Sequence, residues 1–316
     1  MRVLITGGAG FIGANLVRRL LEAGYSVVVY DDLSRGRQEY LPPGIDVVRG
    51  DIRDQKLVAS ATSGCDTVIH LAASGSVVDS VSDPGENFSS NVAGTFSVLN
   101  AARAGGVRRF IFASTGGALI GEAEPPVDEQ ALPKPISPYG ASKLCGEAYC
   151  HAFAQAYGMH TLALRFANVY GPYSAHKKGA VTSFIKRLFL DEALPIFGDG
   201  SATRDYLHVS DLCAGIESAI NADLPGGDVV HLSSGTETDI VTVARLLAKL
   251  AGKSESPLEF LPARVGEVSR NFARYDKAAR VLNFAPTVTL EDGLADTFAW
   301  YQAHREEVLS LQESES

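Results

Sequence analysis

Along the first half of the chain, short apolar runs alternate with longer stretches in which apolar residues recur every three or four positions. VLIT (3–6), SVVVYD (26–31), IDVVRGD (45–51), CDTVIHLA (65–72), RRFIFAS (108–114) and HTLALRFANVY (160–170) read as strands. Between them, GANLVRRLLEAG (13–24) has the period of an amphipathic helix and stops at a capping glycine, Gly24. NVAGTFSVLNAARAGG (91–106) and the segment from about Pro138 to Tyr157 carry the same helical period. Parallel neighbours must be joined by crossovers, usually helices. This alternation therefore predicts an α/β fold, a Rossmann-type doubly wound parallel sheet covered on both faces.

After Gly171 the rhythm changes. GPYSAHKKGAV reads as a loop, VTSFIKRLFLDEA as a helix, and PIFGDGSATRDYLHV as strand, turn and strand. DVVHLSSG (228–235) could rejoin the main sheet, whereas TVARLLAKLAG (242–252) and VTLEDGLADTFAWYQAHR belong to something smaller. The expectation is a dinucleotide-binding domain over 1–171, rejoined by about 205–235, and an interleaved α/β substrate lobe mainly over 172–316. The two would meet in a cleft.

Composition adjusts this picture only at its edges. A chain of 316 residues with 46% hydrophobic content can build such cores. Mean hydropathy is +0.05, and no apolar run approaches the roughly 18 residues of a membrane helix. The opening MRVLITGG is already a strand and loop, so no signal peptide, no membrane association and a cytoplasmic location are expected. A net charge of −9 argues against a general nucleic-acid binder. Cys65, Cys145, Cys150 and Cys213 show no metal-ligand spacing and read as buried small hydrophobes in a reducing compartment; no metal is expected.

TGGAGFIG (6–13) lies between the first strand and its helix, with Gly7, Gly10 and Gly13 spaced G-x-x-G-x-x-G around Phe11 and Ile12. The physical need is a tight turn, close backbone approach to a pyrophosphate, and a helix N-terminus whose free N–H groups face negative charge. Asp31 and Asp32 end the second strand, where a carboxylate can accept hydrogen bonds from ribose hydroxyls and repel a 2′-phosphate. NAD is therefore expected, with Arg35 and Arg37 keeping NADP as the alternative. Asp51 and Ile52, after the third strand, could hold the adenine edge.

ASTGGALIG (113–121) emerges at a strand's carboxyl end, where α/β proteins place their chemistry. Ser114 and Thr115 are hydroxyls; Gly116 and Gly117 bring no acid or base. SPYGASK places Tyr139 and Lys143 one helical turn apart. For Tyr139 to act as a base near neutrality its pKa must fall by about three units, and the lysine, with a cationic nicotinamide, is the expected cause.

TGGAGFIG, the Y-x-x-x-K of YGASK, RFANVYGP and GDGSATRDYLHVSD together resemble the extended short-chain dehydrogenase/reductase family, in its NAD-dependent nucleotide-sugar epimerase/dehydratase branch, which includes UDP-galactose 4-epimerase. The resemblance runs nearly end to end. It implies that Tyr139 takes the proton of a sugar hydroxyl, that Lys143 holds the nicotinamide ribose, and that Thr115, or its neighbour Ser114, is the hydroxyl partner. It also implies that Leu71, Ala72 and Ala73 pass along the cofactor with Asn91 in support. Asn168 and Arg204 would hold a diphosphate, Arg264 and Glu267 the nucleoside, and Ser74 and Ser76 would border the sugar. A homodimer is implied as well.

A 4,6-dehydratase of this resemblance would need an Asp-Glu pair directly after the hydroxyl, and a uronate decarboxylase a glutamate. A 4-epimerase needs neither, and the two glycines would leave room for a keto sugar to turn. The expected activity is therefore 4-epimerisation of a UDP-sugar with tightly held NAD. UDP-glucose is the first substrate; UDP-glucuronate stays close behind because His176, Lys177, Lys178, Lys186 and Arg187 could receive a carboxylate. UDP-glucuronate decarboxylation and a catalytically silent NAD-binding regulator are the rivals. Two departures bear on the substrate side: Ile120 replaces the tyrosine usual before Gly121, and Arg274 stands where an aspartate is common.

Overall fold

A computed structural model describes residues 1–264 and 268–313, with side chains through residue 310. Seven parallel strands form the central sheet. Six are β1 (Arg2–Thr6), β2 (Ser26–Asp31), β3 (Asp46–Arg49), β4 (Thr67–His70), β5 (Arg109–Thr115) and β6 (His160–Phe166). The seventh, Asp228–Leu232, pairs with β6, giving the order Asp228–Leu232, β6, β5, β4, β1, β2, β3. The chain reverses direction across the sheet between β1 and β4, so a crevice opens beyond their carboxyl ends.

Alternation within each strand feeds two cores. Val3, Ile5, Val29, Ile69 and Ile111 face helix α1 (Phe11–Glu22) and the helix Val209–Asn221. Leu4, Val28, Val68, Phe110 and Phe112 face the other layer, which includes Val98, Leu99, Cys150 and Phe153. A third core, with Phe184, Leu188, Val243, Leu247, Leu294 and Tyr301, joins the helices Ala180–Phe189, Ile240–Leu250 and Leu290–Ala303 beside the sheet.

Several boundaries differ from the periodicity. Helix α1 begins at Phe11 rather than residue 13, because the glycine turn has already closed at Gly10. The stretch 91–106 is an α-helix only over Thr95–Ala104, preceded by a π-helical turn over Ser89–Gly94, where Ile52 fills the place a Cβ of Gly94 would take. The single strand read at 160–170 breaks at Ala167. There the N–H of Ala167 goes to the Leu232 carbonyl and that of Asn168 to the Asp205 carbonyl, so Asn168–Tyr170 pairs with Tyr206–His208 instead of the main sheet. Among the described residues, no helix is long and apolar enough to cross a membrane.

Candidate active site

The crevice at the strand ends is a cleft of about 1270 Å³. Its floor starts at the glycine turn. Gly7 sits at φ +69°, and a Cβ there would stand 2.7 Å from the Ala72 backbone nitrogen. A Cβ on Gly13 would stand 2.4 Å from the Gly7 carbonyl, so both glycines are fixed by close backbone packing. Gly10 differs: its Cβ would meet only the Gly7 carbonyl, at 3.3 Å, and otherwise project into the cleft. Helix α1 opens there without a side-chain cap and without an acidic residue in its first turn. Its first N–H groups are left to an anion.

Asp31 lies at the end of β2, buried, its carboxylate accepting from the N–H groups of Ala9 and Leu33, each at 2.9 Å. Burial pushes its pKa up despite those two donors. Asp32 is turned to its own loop, accepting from Ser34. Asp51 is gripped by Arg53 at 2.6 Å, which holds its carboxyl below the usual range. Ile52, Leu71, Ala72 and Ala73 complete this wall. Asn91 stands behind it: its amide takes the Ser74 N–H at 2.7 Å and donates to the Ser74 carbonyl and the Ser142 hydroxyl.

Tyr139 and Lys143 lie on one face of the helix Pro138–Tyr157, capped by Ser137. The Lys143 ammonium donates to the Ala113 carbonyl at 2.8 Å and stands 5.8 Å from the centre of the Tyr139 ring. Burial pushes Lys143 down to about 8 and Tyr139 up to about 12. The expected depression of the tyrosine is therefore not produced by this chain alone, because the lysine is engaged by a carbonyl and desolvation dominates. Ser114 lines the cleft, but its hydroxyl is engaged behind it. Its buried hydroxyl donates to Glu147 at 2.6 Å, and Glu147 is held bidentately by Arg165, at 2.9 Å on each oxygen. Thr115 is left as the cleft hydroxyl, with no partner among the described residues.

On the far wall stand Asn168, Arg204 and Arg264, the last stacked 3.7 Å from the centre of the Phe197 ring. Ser76 caps the helix Val77–Ser82 and, with Ser74, borders the cleft. Arg187 does not reach it: its guanidinium goes to the Ala193 carbonyl and to Glu192, both at 3.3 Å, because it sits on the outer side of its helix end. Glu267 lies outside the described residues.

Sequence reading passed over Glu147 and did not foresee the contact that Asn271 makes. Glu147 falls at i+8 from Tyr139 and i+4 from Lys143, a helical spacing that could have pointed to it. Asn271 lines the cleft with its amide directly over Gly117, where a Cβ would come within 1.8 Å of Nδ2. Only the fold brings those two together. Gly116 backs onto His231, at 3.3 Å from a Cβ, and so faces the core. The expected room over the glycine pair is thus already taken on both sides.

Residues 3–232 match the model of the NAD dependent epimerase/dehydratase family. A UDP-glucose 4-epimerase of Mycolicibacterium smegmatis is 37% identical over 96% of this chain and 99% of its own length. The structure of a UDP-glucose 4-epimerase with UDP-glucose from Thermotoga maritima superposes with a TM-score of 0.92, at 36% identity over 96% of this chain and 100% of that one. A dTDP-glucose 4,6-dehydratase of Streptomyces venezuelae with NAD bound gives a TM-score of 0.93, at 32% identity over 98% and 100% of the two chains. Relatives of both reaction types thus span the whole fold, and this chain belongs to the NAD-dependent epimerase/dehydratase family of nucleotide-sugar enzymes.

Proposed function

We propose that this chain is a UDP-sugar 4-epimerase that oxidises the sugar at C4, lets the keto sugar turn about its diphosphate, and reduces it on the opposite face. The observation that carries the reading is the turn after β5. Thr115 supplies a hydroxyl, while positions 116 and 117 carry no acid or base, and Asn271 occupies the space a side chain at 117 would need. Dehydration and decarboxylation both need a proton-transferring group that this turn lacks.

The cleft fits NAD. Gly10 opens a cradle at the uncapped start of α1, and Asp31 presents a buried carboxylate to ribose hydroxyls. Bound there, NAD supplies the hydride acceptor and donor. Tyr139 takes the proton of the C4 hydroxyl and returns it after the sugar has turned. Thr115 hydrogen-bonds the same oxygen and fixes its direction. Lys143 holds the nicotinamide ribose and brings positive charge toward the phenolate as it forms. Asn168 and Arg204 hold the sugar nucleotide's diphosphate while the hexose moves.

A neutral hexose is the favoured substrate. Of the cations that could take a uronate, Arg187 points away, Lys178 is paired with Asp79 at 3.3 Å, and the Lys177 ammonium is engaged by the Val169 carbonyl at 2.9 Å. The test is incubation with UDP-glucose and, separately, UDP-glucuronate, without added NAD, followed by mass-resolved chromatography. A new peak of unchanged mass from UDP-glucose is expected. Loss of water or carbon dioxide would sink the epimerase reading, and turnover of UDP-glucuronate alone would move the substrate.

A further inference from the structure

Two lysines of the cleft end on main-chain carbonyls rather than on carboxylates. One is Lys143. The other, Lys177, lies in the loop after Asn168–Tyr170, and its ammonium donates to the Val169 carbonyl at 2.9 Å. Among the described residues no carboxylate comes within ion-pair distance of it. Its neighbours on the same wall are matched: Lys178 and Arg35 both pair with Asp79, at 3.3 and 3.0 Å.

A half-buried cation without a counter-charge is costly, and burial pushes Lys177 down to about 8. Its position suggests what compensates. The ammonium stands 5.0 Å from the centre of the ring of Phe11, the first residue of α1, and both line the cleft. The loop is held in place there, since Asn15 of α1 donates to the Pro172 carbonyl at 3.1 Å and the Lys177 N–H to the Ser174 carbonyl at 2.9 Å. An uncapped helix start contributes about half a positive charge, whereas a diphosphate carries two negative ones.

We propose that Lys177 is the counter-cation of the diphosphate held at the start of α1, that of bound NAD, and that its charge sets how firmly the cofactor is retained. The inference rests on the family's cofactor and not on the epimerase reading. A sugar nucleotide carries the same chemical group, so the test separates the two sources.

Lys177→Gln keeps a donor for the Val169 carbonyl but removes the charge, and Lys177→Arg keeps the charge. The readouts are NAD per chain after gel filtration, and the affinities of the stripped protein for NAD and for UDP. A lost charge-assisted contact predicts that Lys177→Gln weakens NAD binding about 10- to 100-fold, leaves UDP within about twofold, and is rescued by arginine. Unchanged NAD affinity in Lys177→Gln overturns the proposal. Weakened UDP binding alone assigns the lysine to the sugar nucleotide and overturns it too, as does equal loss with arginine. Should the glutamine variant not fold, amine labelling of Lys177 in the wild-type chain, read by peptide mass spectrometry, decides. NAD should slow the labelling and UDP should not; equal rates with and without NAD refute the assignment. None of these readouts depends on turnover, so failure here is distinct from failure of the epimerase reading.

Discussion

Tyr139 carries the strongest conflict between a residue's role and its surroundings. The proposed mechanism needs a base there, yet burial holds its pKa up at about 12, and Lys143 gives its ammonium to the Ala113 carbonyl. The protein stripped of NAD should therefore keep Tyr139 protonated until about pH 12. The ultraviolet phenolate band, taken as the difference between wild type and Tyr139→Phe, measures this. NAD should move the transition to lower pH, because a cationic ring beside the phenol favours its charged form. Tyr139→Phe should lower kcat about 10²- to 10⁴-fold, the usual worth of a positioned proton-transfer group, while NAD stays bound. Loss of NAD instead would make Tyr139 a binding residue.

The helix Pro138–Tyr157 acts as an element because three side chains spaced four apart share one face. Lys143 and Glu147 lock it to β5 through the Ala113 carbonyl and the Ser114 hydroxyl, and Arg165 of β6 closes the clamp. Arg165 and Glu147 are both nearly inaccessible, so removing one charge strands the other. Glu147→Gln should cost about 3–5 kcal/mol in chemical denaturation. A cost below about 1 kcal/mol would mean that water or another group takes over the guanidinium. The turn after β5 behaves differently, because the obstacle to a side chain at Gly117 is the end of a short side chain. Gly117→Ala should displace the Asn271 amide and raise KM for the sugar nucleotide with little loss of stability. In the double variant with Asn271→Ala the two effects on KM should not add. Additive effects would separate the pair.

At the scale of the whole molecule, the fold encloses histidines whose protonation couples to folding. His70 is enclosed between the hydroxyls of Thr6 and Thr95, and burial pushes it from 6.5 down to about 3. His231 is also pushed to about 3 and His176 to about 4, burial again the main cause. Each stays neutral in the fold but takes up a proton in the unfolded chain below its ordinary value. The stability they contribute is present above about pH 6.5 and lost as pH falls toward those folded values. Between about pH 6.5 and 5, each fully buried histidine should cost about 2 kcal/mol, read as a falling denaturant midpoint. A midpoint independent of pH over that range would show the histidines to be solvated.

The sequence by itself determined what depends on local periodicity and backbone geometry: the parallel sheet, the glycine turn into α1, Asp31 at the end of β2, and Tyr139 with Lys143 one turn apart. These are short-range consequences of side-chain alternation, helical spacing and glycine's freedom, so they survive without knowledge of the packing. Tertiary structure decided what depends on partners far apart in the chain. Ser114 and Thr115 look interchangeable until Glu147 claims the first. Arg187 and Lys177 sit in one basic stretch until a helix end turns the first outward and a loop pins the second beside Phe11. Gly117 appears to leave space until Asn271, 154 positions later, fills it. A side chain's reach is a few ångströms, and only the folded chain settles which distant groups come within it.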